Sequence, residues 1–299
     1  MQEIFEQVLG KENVLRNEPM SHHTTFKIGG TADWFLTPRT EEQLSEVLKL
    51  LHKNNLSFFV LGNGSNLLVG DKGIRGVVLC LCKKMERIEA CGDEIYAEAG
   101  AILSRVSNVA LAAGLEGTEF SSGIPGTVGG AVYMNAGAYE HEMKEIIKSV
   151  RYMDMTGKIF ESDCEECSFG YRTSKFSKGD YIILGCTLKL RKGNSEEIRT
   201  RIADYTQRRV SKQPLEKPSA GSTFKRPEGH FAGGLIEKAG LKGYSIGGAQ
   251  VSEKHAGFVI NTGTATAKDV LDLIEFIKKT VFEKFGVELE PEVKLIGEF

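Results

Sequence analysis

Apolar residues recur along the chain with two different periods. Leu44, Val47, Leu48 and Leu51 share one face of a helix, and Thr40-Glu41-Glu42-Gln43 before them has the spacing of a capping box. Residues 57–61 and 76–81 are apolar runs of strand length on either side of a glycine loop, so this stretch reads as a βα-type unit. Glu94–Glu98 alternates as a strand does. Ile102, Leu103, Val106, Val109, Ala110 and Ala113 form a second helical stripe, with Gly114 placed to end it. Strand patterns return at residues 149–154 and 181–190. Charged residues 191–197 mark a boundary. A helix beginning near Ser195 is expected to turn Ile198, Ile202 and Tyr205 inward before a basic end at 207–212. Pro214 and Pro218 then break the chain. Val270, Leu273, Ile274, Ile277 and Val281 predict a long helix over Ala267–Phe285, closed by Gly286, and a strand follows through 293–296. The expected organisation is α+β. Two lobes divide near Lys83, over residues 1–82 and 83–192, and a separate domain covers 193–299. There is no internal repeat and no low-complexity tract.

Composition narrows the class. In 299 residues, 38 Lys and Arg stand against 40 Asp and Glu, a formal charge of −2, which argues against a dedicated nucleic-acid binder. No apolar run approaches the ~20 residues of a membrane span. The first residues lack a signal peptide's apolar region, so a cytoplasmic protein is expected. The 34 glycines are about 11% of the chain, against a usual ~7%, and they cluster in short loops. Such loops let a backbone approach a ligand closely. Of the cysteines at 80, 82, 91, 164, 167 and 186, only Cys164 and Cys167 form a C-x-x-C. A zinc site needs a second ligand pair, so reduced thiols and no metal are expected. Adjacent His22 and His23 point to opposite sides of an extended segment and do not make a ligand pair.

Five segments carry candidate chemistry. Leu61-Gly62-Asn63-Gly64-Ser65-Asn66-Leu67 follows a strand, and its small residues leave peptide N–H groups uncovered, which suits a pyrophosphate. Leu67 stands where the dinucleotide fingerprint has its third glycine, so a tight structural turn fits equally well. Ser121–Tyr139 contains five glycines and almost no charge, as expected of backbone pressed against a flat, polar-edged ligand; a structural crossover is the other reading. In Phe169-Gly170-Tyr171-Arg172-Thr173 an arginine lies between aromatic residues, either as a surface cation–π pair or as a guanidinium over a planar carboxylate. Pro218-Ser219-Ala220-Gly221-Ser222-Thr223-Phe224-Lys225-Arg226 leads from small residues to a hydroxyl and two cations, without the G-x-S-x-G of a hydrolase elbow. In Glu290-Pro291-Glu292-Val293, Glu292 begins a strand, where a carboxylate is usually just surface.

Taken in this order, and beginning at His23-Thr24-Thr25-Phe26-Lys27-Ile28-Gly29-Gly30, these segments closely resemble the UDP-N-acetylenolpyruvoylglucosamine reductase family of peptidoglycan precursor synthesis. The resemblance covers nearly the whole chain. It implies a two-lobed FAD-binding domain of the vanillyl-alcohol-oxidase (PCMH) type, followed by an α+β substrate domain. It implies noncovalent FAD, held by Gly62, Asn63, Gly64, Ser65, Asn66, Leu67, Ser122, Gly123, Pro125, Gly126, Thr127, Gly129, Gly130, Ala131, Asn135 and Gly137. The family's catalytic arginine, proton-donating serine and catalytic glutamate fall on Arg172, Ser222 and Glu292. Tyr171, Lys212, Lys225 and Arg226 fall among its substrate contacts. NADPH is the implied hydride donor, and the implied reaction reduces the enolpyruvyl ether of a UDP-amino sugar to a lactyl ether in a cytoplasmic monomer. Phe176-Ser177-Lys178-Gly179-Asp180 leads straight into a strand, as in the shorter subtype, which lacks a substrate-contacting tyrosine loop. The rival readings are another FAD-dependent oxidoreductase of this fold acting on a sugar or alcohol, which would not need Ser222 and Glu292, and a nucleotide-sugar-binding module without catalysis.

Overall fold

Helices form where apolar spacing and a cap coincide. The computed structural model describes every residue except Lys83 and Asp180. The lobe boundary expected at Lys83, and the Asp180 that ends the short connection, therefore lie outside the described residues. Helix α1 (Gln2–Leu9) buries Phe5 and Leu9, and Phe5 meets Trp34 edge-on at 5.4 Å. Helix α2 (Glu41–Lys53) buries Leu44, Val47, Leu48 and Leu51 as the spacing predicts. Only half of its capping box forms. Thr40 accepts from the Gln43 amide at 3.2 Å, but the Gln43 side chain accepts from the Arg39 amide, one residue before the cap. Helix α3 (Leu103–Ala112) buries Leu103, Val106 and Ala110, while Ile102 is its N-cap and Val109 is half-buried. Ser107 takes a buried place instead, because its hydroxyl donates to the Thr118 carbonyl at 3.0 Å.

Among the described residues the chain builds two units. The first comprises Met1–Leu15, Trp34–Asn63 and Gly76–Arg209, and the second Arg16–Asp33, Gly64–Arg75 and Val210–Phe299. In the first unit an antiparallel sheet runs in the order Ile159–Asp163, Ile147–Asp154, Tyr181–Lys189, Glu94–Glu98, Ile88–Cys91. Its central strand is buried almost throughout because helix α4 (Val128–Met134) packs on it. Phe58–Leu61 pairs in parallel with Val77–Cys80. Helix α5 (Ser195–Lys212) differs from expectation: Ile198 is buried, but Ile202 and Tyr205 are only half-buried. Polar ties anchor this helix. Arg201 pairs with Glu116 and Glu119 at 2.7 and 2.8 Å, and Tyr205 stacks on Tyr139 at 4.2 Å.

The second unit holds helix α6 (Ala232–Lys238), helix α7 (Ala267–Phe285) and a small antiparallel sheet of Ser245–Ile246, Ala249–Val251 and Val259–Asn261. Val270, Leu273, Ile274, Ile277 and Val281 of α7 are buried, in a core that also takes Phe26, Ile28 and Leu68. Leu67–Val69 pairs in parallel with Lys294–Ile296, Leu67 opposite Lys294. Among the described residues, no helix is long and apolar enough to cross a membrane.

Helix α7 carries a full capping box. Thr266 accepts from the Asp269 amide and Asp269 accepts from the Thr266 amide, each at 3.0 Å. The bond from Thr266, with a further one from the Gly248 amide, holds the Asp269 carboxyl below its ordinary value. Thr266→Ala is expected to cost about 0.5–2 kcal/mol in urea unfolding. A depressed folded pKa contributes stability above the unfolded value of about 3.9, and that stability is lost as pH falls through the folded value. Asp269→Asn should therefore make the loss of stability below about pH 4 shallower. An unchanged acid limb would remove Asp269 from the account.

Candidate active site

The polar segments gather separately in the two units. In the first, the loop before α4 lies against the end of the strand Phe58–Leu61. Asn63 donates to the Pro125 carbonyl at 2.7 Å, and a Cβ on Gly62 would sit 2.5 Å from the Thr127 hydroxyl. Thr127 caps α4 by accepting from the Gly130 amide at 3.3 Å. The amides of Val128 and Gly129 go to the carbonyls of Ala101 and Ala99. Gly129, Gly130 and Ala131 are thus helical, and Gly129 is small because a Cβ would touch Ala99 at 3.0 Å. The preceding loop is different. Among the described residues, the amides of Gly123, Gly126 and Thr127 donate to no protein acceptor. The same holds for the consecutive amides of Gly62, Asn63, Gly64, Ser65 and Asn66. Backbone donors this consistently unused are rare in folded proteins, and concave runs of them bind anions.

Arg209 lies beside this loop, and its chain would come within 3.2 Å of a Cβ on Gly123. Sequence reasoning missed it, reading the basic run 207–212 only as a helix end. Burial pushes its guanidinium down from the ordinary value, and among the described residues it has no carboxylate partner. A half-buried cation without a counter-charge is costly unless an anion supplies one. Within the first unit, the loose amides of Gly62, Asn63, Gly123, Gly126 and Thr127 and the half-buried Arg209 fit a phosphate-bearing ligand.

Arg172 occupies the tip of a two-residue turn. Gly170 and Thr173 exchange backbone hydrogen bonds of 3.0 and 3.3 Å. Arg172 has φ +55°, the left-handed region that costs an L-residue roughly 1–2 kcal/mol. Glycine is the usual occupant of such a place, and a side chain kept there at a cost points to function. Its guanidinium lies 5.1 Å from the centre of the half-exposed Tyr171 ring. Asn135 is fully buried and bonded entirely within the protein. Gly137 belongs to a short ribbon with His141–Glu142, and the Ser122 hydroxyl donates to the Glu119 carbonyl.

In the second unit, backbone bonds bring together segments far apart in sequence. Thr223 is fixed on both sides. Its amide donates to the Gly257 carbonyl, its hydroxyl accepts from the Val259 amide, and its carbonyl accepts from the Glu292 amide at 2.8 Å. The Lys225 amide donates to the Glu290 carbonyl, and Phe224 bridges Pro291. Ser222, exposed beside this anchor, and Glu292 therefore sit on neighbouring extended segments. Asn66 clamps the same place, donating to the Glu292 carbonyl at 3.1 Å and accepting from the Lys294 amide at 2.9 Å. Leu67 is buried in the strand that follows. Gly64 takes φ +61°, and a Cβ there would lie 2.0 Å from the His23 carbonyl oxygen. Thr25 donates to the Ser219 carbonyl at 2.7 Å. Lys225 pairs with Glu290, Arg226 stacks over the exposed Phe231 ring at 4.0 Å, and Lys212 is exposed at the end of α5.

The remaining motifs stay outside. His23 pairs with Glu18 at 2.8 Å. Burial pushes the Cys167 thiol up to about 11, so it is protonated at neutral pH and poor as a nucleophile.

The two units and their loops of open amides are those of an α+β oxidoreductase with an FAD-binding domain and a separate C-terminal domain. Residues 32–163 match the model of an FAD binding domain, and residues 213–296 that of the UDP-N-acetylenolpyruvoylglucosamine reductase C-terminal domain. A UDP-N-acetylenolpyruvoylglucosamine reductase of Clostridium botulinum (strain Okra / Type B1) is 53% identical over 98% of this chain and 96% of its own length. One of Clostridioides difficile (strain 630) is 53% identical over 97% and 96%. The crystal structure of the Thermus caldophilus reductase superposes with a TM-score of 0.82 at 36% identity, covering 95% of this chain and 98% of that one. The chain belongs to the UDP-N-acetylenolpyruvoylglucosamine reductase family.

The conformation of Arg172 is testable apart from activity. Arg172→Ala and Arg172→Gly remove the same side chain, but only glycine relieves the left-handed backbone. Arg172→Gly should be the more stable of the two by about 1 kcal/mol in denaturant unfolding. Equal stabilities would mean that the turn carries no strain.

Proposed function

We propose that the protein is an NADPH-dependent flavoenzyme that reduces UDP-N-acetyl-3-O-(1-carboxyvinyl)glucosamine to UDP-N-acetylmuramate. It acts as a monomer in the cytoplasm, where NADPH is available. The observation that carries this reading is the backbone ladder that sets Ser222 beside an anchored Thr223 and next to Glu292. Relatives at 53% identity carrying the reductase name add support. In this reading residues 1–82 and 83–192 supply the FAD lobes and 193–299 the substrate domain, with 16–33 and 64–75 folding into the same unit as most of the third.

The residues present fit FAD. The unpaired amides of 62–66 and of Gly123, Gly126 and Thr127 would hold it through its phosphates and ring edge, with Arg209 as counter-charge. Ser122, Pro125, Gly129, Gly130, Ala131 and Gly137 shape that surface, and Leu67 borders it. When bound, FAD supplies a two-electron relay from NADPH to the substrate.

The chain's own residues account for the rest. Arg172 presents a planar, permanently charged fork that matches the substrate carboxylate, and Tyr171 flanks it. Hydride arriving at the methylene carbon drives an electron pair through the C=C bond into that carboxylate, giving an enediolate. Arg172 stabilises the charge where it develops, and Glu292 helps to orient the carboxylate. The ether-bearing carbon then takes a proton from the Ser222 hydroxyl. A serine is a weak acid but an enediolate is a strong base. The exposed Ser222 recovers its proton from solvent, and Lys225 steadies the alkoxide. Lys212 and Arg226 supply positive charge for the substrate's diphosphate.

Anaerobic absorbance measurements test the reading. The purified protein should show a flavin spectrum, bleach with NADPH and recover only on addition of the enolpyruvyl substrate. Bleaching by a simple sugar or alcohol in place of NADPH, or a colourless protein, would overturn it. In Ser222→Ala and Glu292→Gln, bleaching should remain near the wild-type rate while recovery slows by roughly 10²–10⁴-fold. Ser222→Cys should recover faster than Ser222→Ala, because a thiol is the stronger acid. A defect confined to bleaching would contradict the assigned roles.

A further inference from the structure

We propose that Asn135 is a positioning residue for Arg172, holding the base of its turn through the Gly170 carbonyl. Asn135 is the C-cap of α4, in the left-handed region at φ +43°, and is fully buried. Its amide nitrogen donates to the Gly170 carbonyl at 3.1 Å and to Glu142 Oε2 at 2.6 Å, and its oxygen accepts from the Lys144 amide at 3.0 Å. The reverse orientation of the amide would set its oxygen against two acceptors. Both N–H groups are therefore used, and the second binds the carbonyl that also accepts from Thr173 to close the Arg172 turn.

The far side of the turn is held by the same helix. The Ser174 and Ser177 hydroxyls donate to the Tyr133 carbonyl at 2.8 and 3.0 Å. Helix α4 thus carries the loop of free amides at its capped start and grips the Arg172 turn at its end. Arginine keeps a left-handed backbone only where the surroundings over-determine it, and Asn135 is the part of those surroundings that bonds the Gly170 carbonyl from outside the turn. Asparagine suits the place because it tolerates that backbone and offers donors and an acceptor on one short side chain. Aspartate would face both Glu142 and the Gly170 carbonyl with oxygen.

The inference rests on the functional reading for its kinetic arm, and a second arm is independent of it. Asn135→Gly keeps the left-handed backbone and deletes the clamp. In the FAD-loaded protein, hydrogen exchange at the Thr173 amide should rise at least tenfold whatever the substrate. Flavin bleaching by NADPH should stay within about twofold, while recovery with the enolpyruvyl substrate slows roughly 10–100-fold, as displacement of a catalytic group does. Because the effect passes through Arg172, Asn135→Gly should slow an Arg172→Lys background less than threefold. Equal slowing in both backgrounds, unchanged exchange at Thr173, or a lowered melting temperature with normal recovery per flavin would overturn the inference. Asn135→Asp, which keeps an acceptor for the Lys144 amide, is the second variant should the glycine variant not fold, and the same outcomes decide it.

Discussion

Backbone N–H groups must find a partner, and two short loops leave most of theirs without one among the described residues. Much else follows from that constraint. The loop 62–66 has its carbonyls and side chains tied down: Gly64 accepts from Thr25, Asn66 grips residues 292 and 294, and Asn63 binds Pro125. Its shape is thereby fixed while its donors stay open. The loop before α4 is fixed by its ends, through Leu103 donating to the Gly126 carbonyl and Val128 donating to Ala101. A preorganised donor set loses little entropy when an anion arrives.

The same economy recurs at the side chains proposed to react. Arg172 stands on a backbone that resists it, and Ser222 stands beside a residue whose amide, carbonyl and hydroxyl are all bonded. In both cases the neighbouring backbone is restrained. Such sites cost stability locally and are held by the surrounding fold. The large buried clusters of both units provide that hold.

The parts of the fold legible in the sequence are those set by local rules. Helices α2, α3 and α7 follow from apolar spacing and caps, and Thr266 and Asp269 close a box within four residues. Helix α4 was not legible, since glycines at 129 and 130 are poor helix formers, and its start is set by bonds to Ala99 and Ala101. Ile202 and Tyr205 faced inward by periodicity alone, yet the position of α5 depends on Arg201 finding two carboxylates. Nor does any pattern join Thr25 to Ser219 or Asn66 to Glu292, 194 and 226 residues apart. Arg172, Ser222 and Glu292 came from resemblance, because each looks ordinary in its own stretch. Arg209 escaped notice because a charge at a helix end is unremarkable until its burial is seen.

Hydrogen exchange of the loop amides, with and without FAD, addresses the central claim most directly. The amides of residues 62–66 and of Gly123, Gly126 and Thr127 should exchange rapidly in the flavin-free protein, since among the described residues no acceptor protects them. They should slow by at least tenfold when FAD is bound, while α7 changes little. Equal exchange in the two forms, or protection of these amides without flavin, would contradict the account.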